Sequence, residues 1–121
     1  MIKKYNDFRD MTVWQKAFAL LRDVYKITRS FPPEEKFALT DDLRRAANSC
    51  VHNIAEGYGR FEARDKTRFY KISRGSAYEA ISQILVGEAE NYTSALIAED
   101  LIIRYKDVIE ELNALIHSLE K

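Results

Sequence analysis

The sequence predicts an all-α protein, an antiparallel up-down-up-down four-helix bundle. Two observations carry this: apolar residues recur at steps of three and four in four separate stretches, and breakers are scarce. Only four glycines and two prolines occur in 121 residues, clustered mainly between those stretches. A chain of 14.1 kDa predicts one domain, residues 1–121, large enough for a core of its own.

The first helix is predicted over 12–29. Met11, Trp14, Phe18, Leu21 and Tyr25 mark its apolar stripe, widened by Ala17 and Val24. Thr12 followed by Gln15 fits a capping box at its start. Ser30-Phe31-Pro32-Pro33 ends it, because proline lacks an amide donor and disfavours helix in the residue before it. The second is predicted over 40–56, with Thr40 as N-cap and Asp41 and Asp42 favourably placed against the helix dipole. Leu43, Ala46, Ala47, Cys50, Val51 and Ile54 form its buried face, and Gly57-Tyr58-Gly59 supplies a left-handed stop.

The third helix, predicted over 62–92, would be about 45 Å long at 1.5 Å per residue. Phe69, Tyr70, Ile72, Ala77, Ala80, Ile81, Ile84 and Leu85 cover more than half of its circumference. Ser73, Ser76, Ala80 and Gly87 fall inside that arc and permit close approach of another backbone, while Gly75 offers a place to bend. An arc this wide exceeds what one neighbouring layer covers. It points either to burial between two neighbours or to self-association, with Tyr70, Ala77, Ile81 and Leu85 as candidate interface residues. The fourth helix is predicted over 99–119, with Ile102, Tyr105, Ile109, Leu112, Ile116 and Leu119 in strict alternation of three and four.

Composition narrows the function classes. The single cysteine, Cys50, permits no internal disulfide and sits on a core face. No apolar run reaches the ~20 residues of a membrane span, and the opening MIKKYNDFRD lacks the apolar stretch of a secretory signal. A cytoplasmic location with no membrane partner is the expectation. No glycine-rich phosphate loop, nucleophile elbow or paired-cysteine spacing occurs. His52 and Glu56 share a helix face, but no third ligand accompanies them. Asn53, near the buried stripe of the second helix, is expected to bond a helix-end or loop carbonyl after Gly57. No enzyme, no cofactor and no metal site is expected.

Formal net charge is zero, yet unevenly spread: residues 1–74 hold 16 Lys/Arg against 10 Asp/Glu, and residues 75–121 hold 3 against 9. Arg64, Arg68 and Lys71 share one face of the third helix. Arg22, Lys26 and Arg29 form a stripe on the first, and Arg44-Arg45 a pair on the second. Such spacing suits salt-sensitive binding of RNA or DNA phosphates, with Arg44, Arg45, Arg60, Arg64, Arg68 and Lys71 as candidates. It equally suits a protein-interaction scaffold in which these cations pair with acidic helices of a neighbour or protein partner.

Trp14, Ala17 and Leu21, then Phe31-Pro32 and Leu39, Leu43-Arg44-Arg45-Ala46-Ala47, Asn53-Ile54-Ala55-Glu56-Gly57, Arg68-Phe69 and Gly75-Ser76-Ala77-Tyr78-Glu79 together carry a resemblance. The chain resembles the bacterial four-helix bundle proteins encoded by intervening sequences in 23S ribosomal RNA genes, most specifically from Arg44 to Gly57. The same pattern is similar to the accessory variability determinant proteins of diversity-generating retroelements. That second resemblance implies a homo-oligomer, specifically a pentamer, with nucleic acid and a reverse transcriptase as partners. Neither supplies a catalytic residue.

Overall fold

The structure, a computed structural model, describes residues 5–121. Residues 1–4, part of the opening segment read above for a secretory signal, lie outside the described residues. A short 3-10 turn, Phe8–Asp10, leads into α1 (Thr12–Thr28). A second, Pro33–Glu35, precedes α2 (Leu39–Gly59), and α3 (Ala63–Ala89) and α4 (Ala95–Leu119) follow. There is no strand among the described residues. The helices neighbour one another in the order α1, α2, α3, α4, with α4 closing back on α1. Partner residues run in opposite senses along each seam. Ser49 and Cys50 of α2 meet Ser76 and Ser73 of α3, while Lys16 and Asp23 of α1 meet Glu111 and Arg104 of α4. The bundle is antiparallel, as the periodicity predicts.

One core runs through it: Val13, Ala17, Leu20 and Val24 from α1; Leu43, Ala47, Cys50 and Ile54 from α2; Ala77, Ala80 and Ile84 from α3; Leu101, Tyr105, Val108 and Leu112 from α4. The α2–α3 pairing is the most extensive. Ser73 Oγ donates to the Cys50 carbonyl at 2.7 Å, and the Ser49 and Ser76 hydroxyls lie 2.7 Å apart, so small side chains bring these two backbones close. No helix among the described residues is long and apolar enough to cross a membrane.

Several local expectations are corrected. Thr12 and Gln15 form no capping box: α1 has no side-chain cap, Thr12 Oγ1 donates to Glu111 across the bundle, and Gln15 Nε2 donates to the Arg9 carbonyl. Thr40 is no N-cap but a buried residue inside α2, which begins at Leu39 after the extra turn 33–35. The Gly57-Tyr58-Gly59 stop is absent, since α2 continues through Gly59 and no described glycine has positive φ. A glycine stands at 57 for space: an added Cβ would come within 2.6 Å of the Tyr70 ring. The left-handed residue is Asn91 (φ 63°), ending α3 in a Schellman arrangement, with Tyr92 N–H donating to the Gly87 carbonyl and Asn91 N–H to Glu88. Gly75 interrupts nothing, and α3 is continuous. Helix α4 starts four residues earlier than predicted, where the Ser94 hydroxyl accepts from Ile97 N–H as a true N-cap.

Candidate nucleic-acid interface

The cations singled out by spacing do not converge on one surface. They divide between two places about 24 Å apart along α2, taking 1.5 Å per residue from Arg44 to Arg60. The first is the α1–α2 face. Arg44 is half-buried there: its Nε donates to Thr28 Oγ1 at 2.8 Å, and its guanidinium carbon lies 4.7 Å from the Tyr25 ring centroid. The two terminal nitrogens make no bond among the described residues. Asn48 Nδ2 donates to the Tyr25 hydroxyl from the other side. Arg45 is exposed, as are Arg22, Lys26 and Arg29, the α1 cations that spacing placed in a stripe. None of these four has an acidic partner among the described residues.

The second place is the corner between α2 and α3. Arg60 caps α2 and pairs with Glu56 at 3.2 Å; Arg60 and Arg68 both lie against the Phe69 ring, at 4.5 and 4.8 Å from its centroid. Arg64, in the first turn of α3, is exposed and has no acidic partner among the described residues. Phe61, at the tip of the corner, is 93% exposed. Lys66 holds the corner in shape: its ammonium donates to the Gly57 and Tyr58 carbonyls that end α2, and burial pushes its pKa down. Lys71 lines one depression with Arg64 and Arg68, together with the carboxylates of Asp65 and Glu120. It is salt-bridged to Glu120 of α4 at 2.6 Å, a partner 49 residues away that helical spacing cannot reveal.

The interface candidates also divide. Tyr70 and Ala77 are buried in the chain's own core and present nothing to a second copy, because α3 lies between α2 and α4. Ile81 is half-buried and Leu85 49% exposed, with Tyr78 at 56% on the same α4-facing side of the helix. The expectation of a four-residue patch is thus corrected to an edge.

The remaining polar candidates have structural partners. His52 Nε2 lies 3.3 Å from Asn48 Oδ1, Glu56 is taken by Arg60, and no group of three His, Cys, Asp or Glu suited to a metal ion forms among the described residues. Asn53 bonds no loop carbonyl after Gly57: its Nδ2 donates to the carbonyl and hydroxyl of Ser49, one turn earlier. Burial pushes the Cys50 thiol up to about 11, against the lesser opposing effect of Ser73. In the unfolded chain the thiol releases its proton first, so this residue makes stability fall as pH rises from about 9 towards 11. We predict that iodoacetamide at pH 8 leaves Cys50 untouched in the native protein and labels it at the rate of unfolding. Labelling faster than unfolding would place the thiol at an accessible site.

Comparison with known proteins supports the fold and family. The bundle is similar to a solved structure from Bacteroides thetaiotaomicron, a protein of unknown function from the S23 ribosomal protein family. The TM-score is 0.80 at 17% identity, over 87% of this chain and 98% of that one. No curated protein matches the chain. The family model described as 23S rRNA-intervening sequence protein matches residues 9–114, and the chain therefore belongs to that family.

Proposed function

We propose that this protein is a non-catalytic binding module that neutralises nucleic-acid phosphates with its α1–α2 face and its α2–α3 corner. One observation supports this above the others. The chain holds equal numbers of acids and bases, yet Arg22, Lys26, Arg29, Arg45 and Arg64 have no acidic partner among the described residues. Acids of α4 are meanwhile engaged elsewhere: Asp107 and Glu111 by Lys16, Glu120 by Lys71. Net neutrality and a cluster of exposed cations coexist because the acids are concentrated in residues 75–121, which hold 9 Asp/Glu against 3 Lys/Arg.

The test is a salt titration of binding to RNA and DNA oligonucleotides, with two charge-reversed triples: Arg22, Arg29 and Arg45 to Glu, and Arg60, Arg64 and Arg68 to Glu. Binding should weaken steeply between about 50 and 200 mM salt, and each lost phosphate contact should flatten the log–log slope by roughly 0.7–0.9. No binding at the lower salt, or binding indifferent to both triples, would sink the proposal. Exposure of Tyr78 and Leu85 favours self-association alongside it. The retroelement resemblance makes a pentamer, and a reverse transcriptase as protein partner, the specific forms to look for. A mass measurement in dilute solution that returns only monomer removes that second element.

A further inference from the structure

The stripe on the outer edge of α1 is neither purely basic nor purely apolar. Trp14, Phe18, Arg22, Tyr25 and Arg29 succeed one another at steps of four, four, three and four, which keeps all five within about 80° of the helix surface. The stripe is about 22 Å long at 1.5 Å per residue. Trp14 and Phe18 are stacked, centroids 4.8 Å apart and planes 17° from parallel, and Phe8 meets the Trp14 ring edge-on at 5.1 Å. Phe18 is 39% exposed and Tyr25 37%. The Tyr25 ring is fixed from α2 by the Arg44 guanidinium and by Asn48. An open depression lined by Leu21, Arg22, Asp23, Tyr25, Lys26 and Arg29 lies against the basic end of the stripe, the Asp23 carboxylate being held by Arg104 of α4.

We propose that this stripe is a stacking platform for single-stranded nucleic acid. The inference rests on the phosphate-binding reading above and deepens it. Cations alone attract any polyanion, duplex or single strand, through its backbone. Rings exposed in the same stripe add something only for a strand whose bases are free to leave their own stack. Every base has a π-face, so such a platform gains affinity without reading sequence. Arg22 and Arg29 alternate with the rings, so phosphates and bases of one strand can be met in turn. Arg44, already seated on Tyr25 with no bond to its terminal nitrogens among the described residues, adds a cation beside the ring that would receive a base. A polyanion is the occupant these cations favour: a two-fold-related copy would bring the same positive stripe, and a copy packed head to tail with an acidic face is the rival occupant that the test separates.

Trp14 is the only tryptophan and stands in the stripe, so its emission reports directly on occupancy. The experiment titrates the protein at low salt with a twelve-residue oligouridylate and with a duplex of equal length. Alongside run Phe18→Leu and Tyr25→Leu, which keep apolar bulk but remove the π-face. The expected result is Trp14 quenching by the single strand alone. Single-strand affinity should fall about tenfold or more for each lost ring, with the salt slope and duplex affinity unchanged. Equal binding of both oligonucleotides without quenching, or leucine variants that bind the single strand like the parent, would overturn the platform while leaving phosphate binding intact. Absence of any binding overturns both readings. Emission that changes with protein concentration alone would assign the stripe to a second copy and overturn the platform. Unchanged thermal melts for the leucine variants exclude unfolding as the cause of a loss.

Discussion

Tyr105→Ala is expected to cost about 3–5 kcal/mol of folding stability, whereas Tyr105→Phe is expected to gain about 1 kcal/mol. Tyr105 is fully buried in α4 and is the bulkiest such side chain in the core. Truncation removes an aromatic ring from a fully buried site, and close-packed neighbours refill such a hole only in part. The hydroxyl is a separate matter. It has no hydrogen-bond partner among the described residues, and burial pushes its ionisation well above the ordinary range of a phenol. A hydroxyl taken out of water without compensation costs about 1–3 kcal/mol, and phenylalanine keeps the ring while removing that cost. Urea unfolding of the two variants and the parent checks both signs, with equal slopes confirming that only stability has changed. A Phe variant less stable than the parent would mean that the hydroxyl has a partner in solution.

Gly57 of α2 and Gly75 of α3 should respond to substitution in opposite directions. At Gly57 a Cβ would meet Tyr70 Cε1 at 2.6 Å and Cδ1 at 2.9 Å, and Tyr70 is itself buried, so the ring has little room to yield. Gly57→Val is expected to cost about 3 kcal/mol, towards the upper end of the range for overpacking. The usual gain of replacing a helical glycine is small for a β-branched residue and does not offset this. At Gly75 nothing lies within 4 Å of the added atom, so Gly75→Ala should gain about 0.5–1 kcal/mol. Combining Gly57→Val with Tyr70→Leu should recover part of the loss, because the clash needs both residues. Strict additivity of the two would show that the cost lies elsewhere.

The bundle was legible because burial in a helix is periodic, and α2 shows this best: Leu43, Ala46, Ala47, Cys50, Val51 and Ile54 are all buried as their spacing predicts. Helix α1 shows the limit. Its large aromatics suggest a stripe through Trp14, Phe18 and Tyr25, but the buried centre is turned towards Val13, Ala17, Leu20 and Val24. Hydrophobicity marks the rings as apolar without saying whether they sit at the centre of a helix face or at its edge. Caps at Thr12 and Thr40 failed because a hydroxyl can satisfy a distant carboxylate or lie buried as readily as it caps. Helix α4 starts at its Ser94 cap, ahead of the stretch where apolar residues recur regularly at steps of three and four. For the candidate site, spacing gives the order of the cations along each helix. It could not say which helices share a face: Arg22 and Arg29 line one depression with the Tyr25 that Arg44 covers, while Arg60 and Arg68 lie against Phe69 at the far corner. Nor could it foresee that Glu120 takes Lys71, since that pairing is a product of chain return and not of helical repeat.

The two long seams flanking the core are built from different materials. Between α2 and α3, serine hydroxyls and small side chains bring backbones together over a broad contact. Between α1 and α4, the narrowest of the four helix pairings, Lys16 spans to Asp107 and Glu111, and Arg104 to Asp23, with side chains a third to a half exposed. Dissolved ions compete with exposed charge pairs and leave close-packed surfaces untouched. Raised ionic strength should therefore loosen the molecule anisotropically, speeding amide exchange along the outer turns of α1 and α4 before it reaches α2. The bundle would then open like a book whose spine is α2 with α3 and whose fore-edge is held by clasps that brine can undo.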